Sequence, residues 1–536
     1  MKKTLYSLLC IIIFLNTFLL LSPGYTAKAR VSRDITYDCS IKLNGRWIDE
    51  DLIDGKEETY LKYDSAKIVI KSYEPVGGVY IKFDRTPQIW SLSYEKTTFS
   101  CGNYGFLHEY QSVYFDNVRT LTLTFYTKTS ISDIYVLSRG EKLPDFVQTW
   151  RPAEGKCDIM LLSCHSDDDQ LFFAGSVPDA VSRGAEMQVC YFTNHWNTHQ
   201  RPHELLNGLW ACGLDRYPVI GRFPDFMRVD SESEMLSGFL KRGYTYDQMV
   251  EDQVELLRKY KPQIVLVHDV YGEYGHAAHK LDSHSLRDAA AVSNNPFKYP
   301  KSAEKFGVWE VPKIYIHLYS RNKIDFEIDV PLQRFDGKTA YQVSQDAFLC
   351  HISQMTTRYK EWLLGTEEKP VTDSHDFPKY SPRDYGLWQT NVGADRRKTD
   401  FYENIVLLKD QPPKETTAEE TTAEETTAEE TTEEVTTVEE VTTAEETTVE
   451  EATEEETAEE ETTVEITATE ETAEEETTTE ETETETEVSD TETEEKETPV
   501  SAKNKTDTGK IVNICAACGI VSVVIAAAIF GIKSKK

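Results

Sequence analysis

The sequence predicts an α/β fold: a mostly parallel sheet with helices on both faces, preceded by an all-β sandwich and followed by a disordered stalk and a transmembrane helix. Three observations predict it. Residues 30–150 alternate apolar and polar side chains in short runs; residues 151–410 alternate apolar strands with amphipathic helices; beyond them come Thr/Glu repeats that close on one long apolar run. Strict alternation marks half-buried antiparallel strands, whereas strand and helix in alternation mark parallel pairing with crossovers.

The chain begins with Lys2 and Lys3, an apolar run from Leu5 to Leu21, and Ala27-Lys28-Ala29. A basic start, an apolar centre and a small-x-small site are the parts of a cleaved export signal, so residues 1–29 are read as a signal peptide. Runs such as Lys67-Ile68-Val69-Ile70, Val79-Tyr80-Ile81-Lys82-Phe83 and Leu121-Thr122-Leu123-Thr124-Phe125 then predict the sandwich. It resembles, weakly, the galactose-binding or discoidin-like jelly rolls; a β-module without a ligand fits the pattern equally well. Cys39 and Cys101 are candidates for a bridge within it, while Cys164 and Cys190 lie in apolar strands and read as buried thiols.

In the next segment Asp158 to Ser163, Met187 to Thr193, Ile264 to His268 and Lys313 to Leu318 read as buried strands. An amphipathic helix runs from about Tyr246 to Lys259, and Thr339 to Leu364 is expected as a long closing helix. The whole is a Rossmann-like arrangement.

Residues 411–500 hold 37 acidic residues against two lysines, nearly all of the chain's formal charge of −36. That acidity says nothing about the folded part. With few aliphatic residues and no aromatic ones, residues 411–509 cannot bury enough apolar surface to offset ordering entropy and are expected to form an extended, self-repelling stalk. Residues 510–532 are long enough to cross a bilayer, and residues 533–536 form a basic tail that stays on the cytoplasmic side. The expected location is the outer face of a cell membrane, anchored by the C-terminal helix. No basic patch or RNA-reading motif is found, so nucleic acid is not an expected partner.

Two segments carry the chemistry. The first leaves a strand as Cys164-His165-Ser166-Asp167-Asp168-Asp169; the second, about 110 residues on, is His268-Asp269-Val270-Tyr271-Gly272-Glu273-Tyr274-Gly275-His276-Ala277-Ala278-His279. Loops at the carboxyl ends of parallel strands are where open α/β sheets place ligands. Three adjacent carboxylates beside an imidazole are costly unless solvated or neutralised by a cation. His276 and His279, three apart, share a face where a helix begins.

Together these segments resemble the PIG-L/LmbE family of N-acetylglucosaminyl deacetylases, with motifs (A)HPDDE and GHxxH, over roughly residues 155–405. The resemblance implies that His165, Asp168 and His279 bind Zn2+, that Asp167 is the general base, and that His276, if protonated, stabilises the oxyanion. Ser166 replaces the usual proline and Asp169 the usual glutamate; the shorter Asp169 puts that residue's packing role in question. Two imidazoles and a carboxylate match the three-ligand set of a catalytic zinc, which lowers the pKa of bound water to ~7. The implied activity is removal of acetate from an N-acetylated sugar or glycan. A surface carbohydrate-binding protein with an inactive deacetylase-like domain is the rival.

Arg201 to Leu214 resembles the family's RxxE helix, in which Arg201 would reach substrate hydroxyls and Glu204 would pair with it; a structural salt bridge is the alternative. His195, His199 and His203 have helical spacing, but Pro202 argues against one helix through all three and hence against a second metal site. His203-Glu204 lacks the second histidine of a zincin, and no GxSxG elbow is present.

Overall fold

A computed structural model of the chain describes residues 30–412, apart from Met227 and Thr357. The expected signal peptide, nearly all of the stalk, the apolar run at 510–532 and the basic tail lie outside the described residues. Among those described, no helix is long and apolar enough to cross a membrane.

The first ten strands are β1 (Cys39–Leu43), β2 (Arg46–Trp47), β3 (Leu61–Tyr63), β4 (Ala66–Ser72), β5 (Val76–Phe83), β6 (Trp90–Tyr94), β7 (Thr97–Cys101), β8 (His108–Ser112), β9 (Thr120–Phe125) and β10 (Thr129–Ser138). They form two antiparallel sheets, ordered β2-β1-β4-β9-β6-β7 and β3-β10-β5-β8. Alternation explains why: in β4, Ala66, Ile68 and Ile70 are buried while Lys67 and Lys71 are exposed. Cys39 and Cys101 are both free. They sit on β1 and β7, four strand spacings apart, or about 19 Å at ~4.8 Å each, far beyond the reach of a disulfide.

The remaining strands are β11 (Ile159–Ser163), β12 (Met187–Asn194), β13 (Val219–Pro224), β14 (Ile264–Val267), β15 (Lys313–His317), β16 (Lys323–Asp325) and β17 (Asp384–Thr390). Their order is β13-β12-β11-β14-β15-β17-β16. The first five are parallel, and β17 and β16 add an antiparallel edge. The order reverses between β11 and β14, which opens a crevice at their carboxyl ends.

The helices are α1 (Asp168–Leu171), α2 (Ser176–Arg183), α3 (Arg201–Ala211), α4 (Glu232–Leu240), α5 (Tyr246–Tyr260), α6 (Ala277–Val292), α7 (Pro300–Phe306), α8 (Ala340–Phe348) and α9 (Lys360–Leu363). Alternate residues of each central strand feed opposite cores. Met160, Leu162, Val265 and Val267 pack with Val254 and Leu257 of α5 and Leu286 of α6. Ile159, Leu161, Ile264 and Leu266 join Val177 of α2, Leu205 and Leu209 of α3 and Phe348 of α8, in one cluster continuous with the sandwich interior. Each such burial contributes about 1.5–3 kcal/mol.

The long helix expected over Thr339 to Leu364 is broken. Thr339 and Gln342 form a capping box that starts α8, but the helix ends at Phe348. A separate 3-10 turn (Ile352–Gln354) follows, in which the Ser353 N–H and hydroxyl both donate to the buried Glu204 carboxylate of α3, at 2.7 and 2.6 Å.

Candidate metal centre

Each of the five parallel strands delivers a polar residue at or just past its carboxyl end: His165 after β11, His195 after β12, Asp225 after β13, His268 after β14, and His317 as the last residue of β15. Parallel pairing brings these ends to one edge of the sheet, and the site is built there.

His165 and Asp168 come from the loop that enters α1. Asp168 Oδ2 accepts the backbone N–H of His165 at 2.8 Å and lies 2.9 Å from its Nδ1. His279 enters from the first turn of α6, its Nε2 3.0 Å from His165 Nδ1 and 3.2 Å from Asp168 Oδ2. The three expected ligands are thus brought together and buried. A tetrahedral ion bonded at 2.0–2.1 Å needs ligand atoms about 3.4 Å apart. The observed triangle is close to one face of that tetrahedron and fits a divalent ion. Its charge demand points the same way: burial pulls the His279 ring down, but the Asp168 and Glu273 carboxylates override it and raise its pKa to about 10. Cys164 Sγ lies 3.8 Å from His165 Nε2, and burial pushes that thiol well above its ordinary pKa.

The segment before α6 turns sharply. Gly272, Tyr274 and Gly275 all have positive φ, and a side chain on Gly272 would meet the His276 carbonyl oxygen at 2.4 Å. The turn places Glu273 inward with no exposure. Its Oε2 accepts from Nδ1 of both His268 and His279 at 2.7 Å; Oε1 lies 2.5 Å from His317 Nδ1 and accepts the Asp269 N–H at 3.2 Å. Burial opposes the charge of Glu273, yet the three imidazoles hold its carboxyl well below the usual range. With Nδ1 of His279 committed to Glu273, Nε2 is the nitrogen that would face an ion, which would take the place of the proton there. His268 in turn accepts the Cys164 N–H on Nε2 at 2.9 Å, tying the two loops together.

His276 caps α6: its Nδ1 accepts the Ala278 N–H at 3.2 Å, which leaves the proton on Nε2. Burial, with His165 and His279 nearby, lowers its pKa to about 2. The capping bond and the lowered pKa favour a neutral ring that donates from Nε2.

Asp167 stays outside the triangle. Its Oδ1 accepts from Arg201 Nη2 at 2.5 Å, and Arg201 Nε donates to Ser166 Oγ at 3.0 Å. Arg201 is thus engaged with Asp167, and Glu204 faces Ser353 and Gln200. Ser166, at the position of the family's usual proline, donates its N–H to His195 Nε2 at 3.2 Å, a bond proline cannot make. His195 Nδ1 lies 3.3 Å from Asp225 Oδ2. Burial works against the charge of Asp225; the His195 bond and the nearby His165 override it and keep the carboxyl below its usual range. Asp169 is buried, accepts from Gln170 Nε2 at 2.7 Å, and is pushed well above the usual carboxyl pKa by burial.

The three histidines with helical spacing diverge. His195 turns to the site, His199 to Asp84 and His203 to His108 at 2.8 Å, while Pro202 sits harmlessly in the first turn of α3. Glu57, His108 and His203 also lie close enough to hold an ion. There the Lys82 ammonium already sits 2.5 Å from Glu57, and His108 bonds Gln148 at 2.7 Å, so those donors are engaged. Sequence reasoning named no role for Glu273, His317, His195 or Asp225. The available signal was a polar residue closing a buried strand, at His317.

Comparison with known proteins matches residues 160–290 to the family model described as GlcNAc-PI de-N-acetylase, PIG-L. A 1D-myo-inositol 2-acetamido-2-deoxy-alpha-D-glucopyranoside deacetylase of Rhodococcus erythropolis is 29% identical over 189 residues, 31% of this chain and 63% of that protein. An N,N'-diacetylchitobiose deacetylase structure from Pyrococcus horikoshii aligns with a TM-score of 0.31 and 15% identity, covering 43% of this chain and 84% of that one. The 1D-myo-inositol 2-acetamido-2-deoxy-alpha-D-glucopyranoside deacetylase 2 of Saccharopolyspora erythraea is 35% identical over 209 residues, 35% of this chain and 73% of that protein. With the family model falling on both strand-end segments and this degree of identity, the chain belongs to the PIG-L family of de-N-acetylases.

Proposed function

We propose that the protein is a zinc-dependent N-deacetylase that hydrolyses the acetamide of an N-acetylglucosamine-type sugar in an extracellular glycan or glycoconjugate. The observation that carries this reading is a single loop that presents His165 and Asp168 to a ligand triangle and holds Asp167 beside it, outside the triangle. The related bacterial proteins, deacetylases of an acetamido-glucopyranoside, support the substrate class.

An ion held by His165, Asp168 and His279 would supply Lewis acidity toward the acetamide carbonyl and toward water. Arg201 anchors Asp167 through Oδ1, and the other carboxylate oxygen takes a proton from the water whose oxygen bonds to the acetamide carbon. Neutral His276 offers its Nε2–H to the carbonyl oxygen as negative charge grows there. When the C–N bond breaks, the proton on Asp167 passes to the departing nitrogen, leaving acetate and a free amino sugar. The proposed setting is the outer face of a membrane, supported by the signal-like start, the acidic stalk sequence and the terminal apolar run.

Acetate release from short N-acetylglucosamine oligomers, with zinc added or chelated, tests the reading. Release that is zinc-dependent is expected; metal-independent release, or none from any N-acetyl sugar tried, overturns it.

A further inference from the structure

The sandwich does not merely adjoin the α/β layer; it grips the segment that carries Arg201. Asp84, directly after β5, is a buried carboxylate: it accepts from Ser130 Oγ of β10 at 2.9 Å and from Arg85 Nη1 at 2.8 Å, and it is bonded to Nδ1 of His199. Arg85 reaches across the same boundary. Its Nη2 donates to the Trp196 carbonyl oxygen, its guanidinium lies 5.5 Å from the Trp196 ring, and the Tyr60 ring packs 4.0 Å from that of His199.

These anchors fall between two site residues. Trp196 follows His195, which holds the Ser166 amide and Asp225; His199 precedes Arg201, which holds Asp167 and Ser166. Further along α3, His203 and Asn207 bond His108 and Glu57, both from the sandwich half, each at 2.8 Å. The segment 196–199 has no sheet or helix ladder of its own. Its placement depends on what it is bonded to.

We propose that Asp84 and Arg85 are positioning residues, and that the β-sandwich serves as a fixed support holding the His195–Arg201 segment so that the Arg201 guanidinium stays on Asp167. This rests on the reading of Asp167 as the base. Bonds made by backbone and side chain on both sides of Arg201 restrict its helix start in position and rotation. A misplacement of ~1 Å at such a group lowers rate by up to about 100-fold.

The test uses the zinc-loaded full chain. Arg85→Ala, at a partly exposed side chain, is expected to lower kcat/KM for N-acetylglucosamine oligomers by roughly tenfold or more, with zinc affinity within about twofold of the parent. In an Arg201→Gln background the same change is expected to cost less than about twofold, because a residue that acts only through Arg201 has nothing left to position. A general folding defect would cost the same in both backgrounds. Hydrogen exchange supplies a readout free of activity: amides 195–201 are expected to exchange about tenfold faster in Arg85→Ala while those of α6 are unchanged. Full additivity, unchanged kcat/KM or unchanged exchange at 195–201 overturns the proposal. If the parent protein releases no acetate from any N-acetyl sugar, the deacetylase reading fails, and the exchange result alone decides the support. Asp84→Asn repeats the series should Arg85→Ala not fold.

Discussion

Glu273→Gln is the most informative single change, because it preserves volume and removes one charge from the middle of three imidazoles. Oε2 serves His268 and His279, and Oε1 serves His317 and the Asp269 amide. Whichever way a glutamine amide turns, its NH2 group faces two nitrogens that the carboxylate oxygen had accepted from or contacted. Bonds to a charged acceptor contribute about 1.5–3 kcal/mol each, so the metal-free protein is expected to lose about 3–5 kcal/mol of stability. His279 also loses the partner that fixes its tautomer, and loss of such an outer carboxylate typically weakens metal binding by about 10–100-fold. Competition for zinc against a chromophoric chelator measures the second effect, and urea unfolding of the metal-free protein measures the first. If the variant binds zinc within about twofold of the parent, Glu273 does not orient the ligand and the tautomer argument fails.

Asp167→Asn is expected to retain zinc but lose about 100-fold or more in turnover, whereas His279→Ala loses both; near-native turnover in Asp167→Asn would sink the base assignment. Stability is expected to fall with acid through the sandwich boundary. Burial first, with Lys82 and Arg85 assisting against the opposing pull of Glu57 and Asp84, lowers His203 to about 4, so the unfolded chain binds its proton first. The contribution is whole above pH 6.5 and is lost as pH falls from there to about 4, roughly 3 kcal/mol in all. Urea midpoints across that range should show a slope that His203→Asn reduces; an unchanged slope refutes it. Glu57, depressed to about 2 against its burial by Lys82 and the neighbouring histidines, adds a further loss from about pH 4.5 downward. Thiol titration of the unfolded protein should find Cys39 and Cys101 free without reductant, and a reductant should leave its melting temperature unchanged.

Much of the site could be read from residue order alone. The run from His165 to Asp169 and the pair His276 and His279 stood after apolar strands, and strand ends are where an open parallel sheet exposes its polar residues. Strand positions were legible for the same local reason, since a four-residue apolar run such as Ile159–Leu162 reports its own burial.

What the local sequence could not show were partnerships across long separations. Ser353, in the short turn beyond α8, gives its amide and hydroxyl to Glu204, 149 residues away, rather than to a preceding backbone carbonyl. Arg201 turned out to hold Asp167, and a neutral His276 ring to be favoured, because burial and the capping bond act on the folded surroundings rather than on the residue type. β17 joins β15 antiparallel after a long excursion, which no strand pattern specifies. The sequence by itself determined which residues are chemically able to bind an ion and that they follow apolar strands, because composition and periodicity act within one element. Only the tertiary structure decided that Glu273 orients the ligands and that Asp84 and Arg85 brace the segment carrying Arg201, because hydrogen bonds across the sheet and between layers exist only once distant strands have paired.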